Sequence, residues 1–428
     1  MFSRRGLITA AAGVSAVAGA NAAMAQAAKP ADAAQPQPPA HPTMLRNIAA
    51  MAQPIAMPER MMRLETARKL MRSQGVGALL VESGSTLDYF TGVDWHRSER
   101  TTAAVIPANG DPIIITPVFE EPSVRETLGI PAEVRAWNED ESPFEFIAGA
   151  LKDRGVMSGP VAVESTTRFF IIDEVRKVSG GYEFRSGDPV VRPCRMFKSM
   201  NELNLMKVAS DITMIAYKLV HDRVQTGMTQ NDIMTMMTEA TQSLGGSPEF
   251  SLVLLNEASA YPHGSRQKEV VKEGSIVLMD CGCTVHGYQS DISRTWVHKA
   301  EPTAKQRKVW ATVKRGQEIA LETAKIGVPC KAIDAATRAY YEKEGWGPRF
   351  KLPGLSHRLG HGIGMDGHEP PYLVGNDDTL LQAGMCFSDE PGIYIPGEFG
   401  VRLEDCWHMT EAGPKLFSGL AKSLEDPI

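Results

Sequence analysis

The chain has little cysteine, no excess of basic charge and, beyond its first 25 residues, no long uncharged apolar run. Six cysteines, Cys194, Cys281, Cys283, Cys330, Cys386 and Cys406, are too few for a disulfide scaffold, and none forms a C-x-x-C zinc pair. Buried small apolar residues are the simplest reading of all six, with a disulfide left open. A net charge of -6 offers no basic groove and excludes nucleic acid and anionic membrane as partners. The lack of an adequate apolar run excludes a stable membrane span once a leader is removed. No repeat at solenoid period is present. What is there is globular: 428 residues with 43% hydrophobic and 22% charged side chains suffice for two domains with substantial cores.

Ser3, Arg4, Arg5, Gly6, Leu7 and Ile8 precede an Ala/Gly/Val stretch, and Ala23-Met24-Ala25 forms an A-x-A cleavage site before Gln26. This order resembles a twin-arginine signal over residues 1–25 and implies a periplasmic enzyme, delivered folded. Removing Arg4 and Arg5 takes the net charge from -6 to -8. Residues 26–56 are expected to form a Pro/Ala-rich linker. Residues 57–193 read as an α/β domain: a helical pattern through Leu70 stops at Gly75, an apolar strand follows over Gly77–Val81, and Asn109-Gly110 turns between strand-like Thr102–Ile106 and Pro112–Thr116. Ser199 with Glu202 is a capping box opening a helix to about Val224, and Thr303 with Gln306 repeats it before a helix ending near Gly327. The boundary falls within Val190–Ser199, so the second domain is 194–428. Met228, Met234, Met236 and Met237 read as helix packing.

Five residues of that second domain, Asp280, Asp291, His361, Glu390 and Glu404, have the types and order of a two-metal site. Four carboxylates gathered in a partly dry cleft raise one another's pKa until some are neutral, whereas two divalent ions keep all four ionised. A hairpin centred between Val285 and His286 sets Asp280 directly opposite Asp291, close enough to share an ion. A second, about Gly397 in Pro396-Gly397-Glu398, does the same for Glu390 and Glu404. Period-2 alternation puts Arg402 on the face of Glu404, where it steadies a ligand carboxylate, and points Cys281 and Cys283 away from the site. His361 lies in Gly-rich His361-Gly362-Ile363-Gly364, where little bulk crowds the ions. Oxygen-rich ligation with one imidazole suits Mn²⁺, with Co²⁺ or Zn²⁺ able to substitute.

Asp280-x-Gly282 through Ser290-Asp291-Ile292-Ser293-Arg294-Thr295, His361-Gly362-Ile363-Gly364 through His368-Glu369-Pro370-Pro371, Glu390-Pro391-Gly392 and Arg402-x-Glu404-Asp405 resemble the metallopeptidases of the pita-bread fold. Tyr89-Phe90-Thr91-Gly92 and Glu99-Arg100 resemble its Xaa-Pro aminopeptidase and prolidase branch, over roughly residues 57–420. The resemblance implies an α+β chain of two domains, an N-terminal creatinase-like α/β domain and a C-terminal pita-bread catalytic domain, assembled as a homodimer or homotetramer. It implies that Asp280 chelates one ion, that Asp291 and Glu404 bridge the two, and that His361 and Glu390 complete the second. It also implies hydrolysis of the peptide bond before proline by a hydroxide between the ions. In that reading Glu390 shuttles the proton and His263 and His368 stabilise developing charge.

Other readings stay open: a metal-dependent lyase or a non-peptide C–N hydrolase on the same scaffold, and a noncatalytic peptide-binding module. His41, His221, His298 and His408 read as surface or capped-core residues, while His286 and His357 flank the site. Trp95 and His96 read equally as a substrate wall, with a neighbouring subunit as one source of it, and as a packed loop.

Overall fold

The computed structural model describes residues 46–156 and 159–428. The leader expected over 1–25, the linker as far as residue 45, and His41 lie outside the described residues. Residues 46–56, expected as the end of the linker, are instead docked: Ile48 N donates to Leu244 O at 3.0 Å, and Ala52 and Ile55 are buried. Their apolar side chains explain the difference, since a free tether would leave them in water. Among the described residues no helix is long and apolar enough to cross a membrane.

The N-terminal domain runs α1 (Met57–Ser73), β1 (Ala78–Glu82), α2 (Ser85–Thr91), β2 (Ala103–Pro107), β3 (Ile113–Pro117), α3 (Glu121–Thr127), β4 (Glu133–Trp137), α4 (Pro143–Asp153), β5 (Pro160–Val163), α5 (Phe169–Ser179), β6 (Glu183–Ser186) and α6 (Asp188–Met196). Its mixed sheet has the order β4-β3-β2-β1-β5-β6. Successive strand residues face opposite sides. Leu80, Val105 and Ile113 therefore pack with Ile147 of α4 and Val175 of α5, while Leu79, Ala104 and Ile114 join Leu64 and Met71 of α1. This second core continues into the catalytic domain through Leu205 and Ile212.

Phe197, Lys198 and Ser199 lead from α6 into α7 (Met200–His221), whose start carries the Ser199/Glu202 capping box. Next come α8 (Gln230–Ser243), β7 (Ser247–Leu255), β8 (Ile276–Val285), β9 (Tyr288–Gln289) and β10 (Ile292–Val297). A second α–α–β half repeats the plan with α9 (Ala304–Thr323), capped by Thr303 and Gln306, and α10 (Cys330–Lys343). Its strands are β11 (Gly360–Gly362), β12 (Glu369–Leu373), β13 (Cys386–Asp389), β14 (Gly392–Ile395), β15 (Phe399–Arg402), β16 (Asp405–Thr410) and β17 (Gly413–Leu416). The first half pairs β10-β8-β7 and the second β12-β11-β13-β16-β17. α7 packs against β8, and α9 and α10 against β15 and β12. The two-domain α+β architecture is the expected one.

Candidate metal centre

In the first hairpin Asp280 faces Ser293, not Asp291 as expected. The turn is His286-Gly287, with φ of 49° and 83°, the left-handed pair that a two-residue hairpin turn requires. It lies one residue beyond the expected centre because Val285 stays in β8, paired with Tyr288. That step slides the pairing by two residues, so Asp291 stands beside Gly282 and the two aspartates become diagonal neighbours on one face. Gly282 admits the arrangement: a Cβ there would meet Ser290 O at 2.2 Å and the Phe250 ring at 2.6 Å. Cys283 projects outward onto α7, its Sγ donating to Ala209 O at 3.3 Å. All six cysteines are free and buried.

The second hairpin has the expected centre at Gly397, with Asp389 facing Asp405 and Gly392 facing Arg402. Glu390 and Glu404 occupy the break between these ladders. Glu404 N donates to Ser293 O at 3.1 Å, and the Cys406 thiol to Asp291 O at 3.2 Å, so the hairpins are joined directly. Behind them the fully buried Arg294 donates to Glu404 O at 2.8 Å and Asp405 Oδ1 at 2.7 Å. Arg402 grips Asp280 more closely than Glu404: Nη2 is 2.5 Å from Asp280 Oδ2, whereas Nε is 3.9 Å from Glu404 Oε2. Its Nε donates to Ser293 Oγ, which donates in turn to Glu404 Oε2.

His361 enters from β11. Its Nδ1 lies 3.1 Å from Gly362 O, which makes Nδ1 the protonated nitrogen and turns Nε2 to the acids. Nε2 lies 3.4 Å from Glu390 Oε1, 3.6 Å from Asp291 Oδ2 and 4.0 Å from Glu404 Oε1. The surrounding glycines let the strands close up, since a Cβ at Gly362 would meet Glu369 O at 2.4 Å and one at Gly364 the Lys198–Glu369 pair.

Burial, then the neighbouring carboxylates, hold Asp291 and Glu404 well above the usual carboxyl range. Burial pushes Glu390 up to about 8, and burial holds His361 neutral. Asp280 Oδ1, Asp291 Oδ1 and Glu404 Oε1 are buried with no hydrogen-bond partner. Buried carboxylate oxygens are paired with a donor or a cation, and three orphaned ones around one cavity with an imidazole nitrogen that carries no proton suit divalent cations. Among the described residues, Asp291, His361 and Glu404 bring one ligand atom each within 4.8 Å of the others.

A cavity of about 510 Å³ opens onto these groups, lined also by His263, His368 and Arg402. The His368 ring stands 4.0 Å from that of His361, centroid to centroid, at 71°. Arg402 Nη1 donates to Pro262 O at 3.1 Å and so holds the loop carrying His263. His357 lies behind Glu390, its Nδ1 3.7 Å from Oε2, and burial lowers its pKa to about 3. His286 is exposed in its turn, away from the cavity. Trp95 stacks on His96 and donates to Glu120, and neither lines the cavity. Sequence reasoning missed the opposite wall, Phe250 and Leu252 of β7, and the rim acids Glu249 and Asp366. Gln289 was within reach of it, standing two residues before Asp291 on the same strand path.

The sequence pattern of metallopeptidase family M24 matches residues 204–411, and that of the creatinase/prolidase N-terminal domain matches 63–197. An Xaa-Pro dipeptidase of Lactobacillus helveticus is 30% identical over 380 residues, which is 85% of this chain and 98% of the relative. Among solved structures, dipeptidase PepE from Mycobacterium ulcerans superposes with a TM-score of 0.77 at 28% identity, covering 86% of this chain and 97% of that one. A prolidase from Thermococcus sibiricus also gives 0.77, at 27% identity and 83% and 96% coverage. The chain thus belongs to metallopeptidase family M24, with the creatinase/prolidase domain at its N-terminal side.

Proposed function

We propose that the protein is a dinuclear metallopeptidase that cleaves the bond before proline, as an Xaa-Pro aminopeptidase or dipeptidase. The observation that carries the reading is that Asp280, Asp291, Glu390, Glu404 and His361 line one cavity, Asp291, His361 and Glu404 at metal-sharing distance, with three orphaned carboxylate oxygens among them. Two divalent ions, Mn²⁺ by the oxygen-rich donor set, supply Lewis acidity and a nucleophile at neutral pH when bound. Glu390 takes the proton of the attacking water at a carboxylate oxygen and returns it to the proline nitrogen, which leaves as a secondary amine. His357 backs Glu390 as a neutral imidazole: Nδ1 donates to Arg358 O at 2.8 Å and Nε2 accepts from Tyr394 Oη at 2.7 Å. His368, neutral because burial lowers its pKa, offers an N–H to the carbonyl oxygen as charge develops there. His263 does the same from the other wall, and Arg402 holds Asp280 in place.

Specificity for proline is supported by the names of the relatives, Xaa-Pro dipeptidase and prolidase. A panel of Xaa-Pro, Xaa-Pro-Yaa and Xaa-Ala peptides tests it and separates dipeptidase from aminopeptidase; rates on Xaa-Ala equal to or above those on Xaa-Pro sink the assignment. Export to the periplasm belongs to the same proposal, supported by Arg4-Arg5 and the A-x-A site. Replacing both arginines by lysine is expected to leave metallated, active precursor in the cytoplasm on fractionation, and normal delivery overturns that route.

A further inference from the structure

The segment between β11 and β12 carries His368 but forms no helix or strand of its own. Its beginning is tied to the first hairpin, where Gln289 N donates to Gly364 O at 2.9 Å and Gln289 Nε2 to Met365 O at 3.1 Å. Its end is held by side chains. The two acids flanking His368, Asp366 and Glu369, converge on Arg195: Nη2 donates to Asp366 Oδ2 at 2.9 Å and to Glu369 Oε2 at 2.8 Å. Arg195 Nη1 reaches Ser85 Oγ at 2.9 Å and Thr86 Oγ1 at 2.8 Å, and Ser85 Oγ itself donates to Asp366 Oδ2. Lys198 pairs with the other oxygen of Glu369. Arg195, Lys198 and Glu369 are all buried. A second cavity, of about 200 Å³, lies against the same span, and Asp366 and His368 line both. The span is thus a thin partition with open space on two sides, so side-chain packing alone does not fix it.

We propose that Arg195, in the last helix of the N-terminal domain, is a positioning residue for His368. Its Nη2 brings Asp366 and Glu369 together while Nη1 is anchored on Ser85 and Thr86, and the peptide between the two acids then has one place to put the His368 ring. The N-terminal domain by this argument supplies part of the geometry of the chemical step, through α6 and the start of α2. The inference rests on the reading of His368 as a group that acts on the scissile carbonyl.

The test is a double-mutant cycle in the metal-reconstituted full-length enzyme, on whichever peptide the substrate panel selects. Arg195→Lys keeps the buried positive charge beside Glu369 but cannot span four partners, and Asp366→Asn loosens one anchor without touching Arg195. Each is expected to lower kcat roughly tenfold to a hundredfold, as a misplaced catalytic group does, with KM, bound metal and thermal midpoint little changed. In a His368→Ala background both are expected to change kcat less than about twofold, because there is no longer a ring to position. Effects that multiply in that background, or a kcat unchanged by both single variants, overturn the inference while leaving the role of His368 intact. A His368→Ala enzyme with normal kcat overturns the reading of His368 and the inference with it.

Discussion

The two hairpins that supply the carboxylates are backed by different means. The first rests on α7 mostly through hydroxyl and thiol groups: Thr213 Oγ1 meets Ser290 Oγ at 2.8 Å, Tyr217 Oη donates to Ile292 O at 2.7 Å, and Cys283 bonds to Ala209 O, with Tyr288 Oη donating to the Glu202 carboxylate at 2.7 Å. The second rests on charge, with Arg294 reaching across from β10 of the first hairpin to lie buried against Asp405, and Gln317 Nε2 donating to Asp405 Oδ2 at 3.0 Å. Neutral backing is a set of small, separable contributions. A buried ion pair is all or nothing, because removing one member strands the other in a dry interior.

The largest effect expected is at the ligands, where the hairpins meet. Asp291→Ala removes a carboxylate shared by the site and is expected to abolish activity and lower bound metal, with circular dichroism showing the fold retained. Full activity or full metal content in that variant ends the two-ion reading. Next comes the backing. Arg294→Met is expected to cost about 3–5 kcal/mol of stability by leaving Asp405 without its cation, whereas Thr213→Val, in α7 behind the first hairpin, is expected to cost about 1 kcal/mol, the worth of one hydrogen bond. Equal losses in chemical denaturation erase the contrast. His368 lies outside both hairpins and provides the control: His368→Ala is expected to lower kcat by about a hundredfold with bound metal unchanged. Loss of metal in proportion to activity makes it a ligand instead.

The smallest effect is on pH dependence. Without metal, burial makes Glu390 in the folded protein hold its proton up to about 8, against an ordinary value of 4.5. Above the lower value the unfolded chain binds fewer protons than the folded one, so the stability of metal-free protein falls as pH rises through that window. Asp291 and Glu404, also raised, add in the same direction. Bound cations keep the acids ionised and remove the slope. A metal-free protein that gains stability from pH 5 to 8 contradicts this.

The hairpins also differ in how far they could be read in advance. Gly397 between Pro396 and Glu398 marks a turn plainly, and the pairing of Asp389 with Asp405 follows from it. His286 at φ 49° carries no such mark, since histidine is an uncommon choice for a left-handed turn position, and the pairing of Asp280 was misjudged by two residues. The face on which the acids lie survived, because a slip of two residues preserves the alternation of side chains. The capping boxes at Ser199 and Thr303 were legible because every participant lies within four residues. Phe250, Leu252 and the Arg195 clamp were not, because each reaches the site from a distant part of the chain and no local pattern announces it. The docking of residues 46–56 escaped for the same reason: its partner, Leu244, lies in the other domain.

The thiol of Cys406, bonded to the carbonyl of Asp291, sits in the seam between the hairpins, and burial holds it far from its reactive anion. A thiol reagent can reach it only when the seam opens. Its labelling rate is therefore a clock for the parting of the two halves, while Cys330, in α10, times a different event. Cations that bridge the hairpins should slow the first clock and leave the second nearly untouched, so the mechanical grip of the metals on the protein can be timed without observing any catalysis.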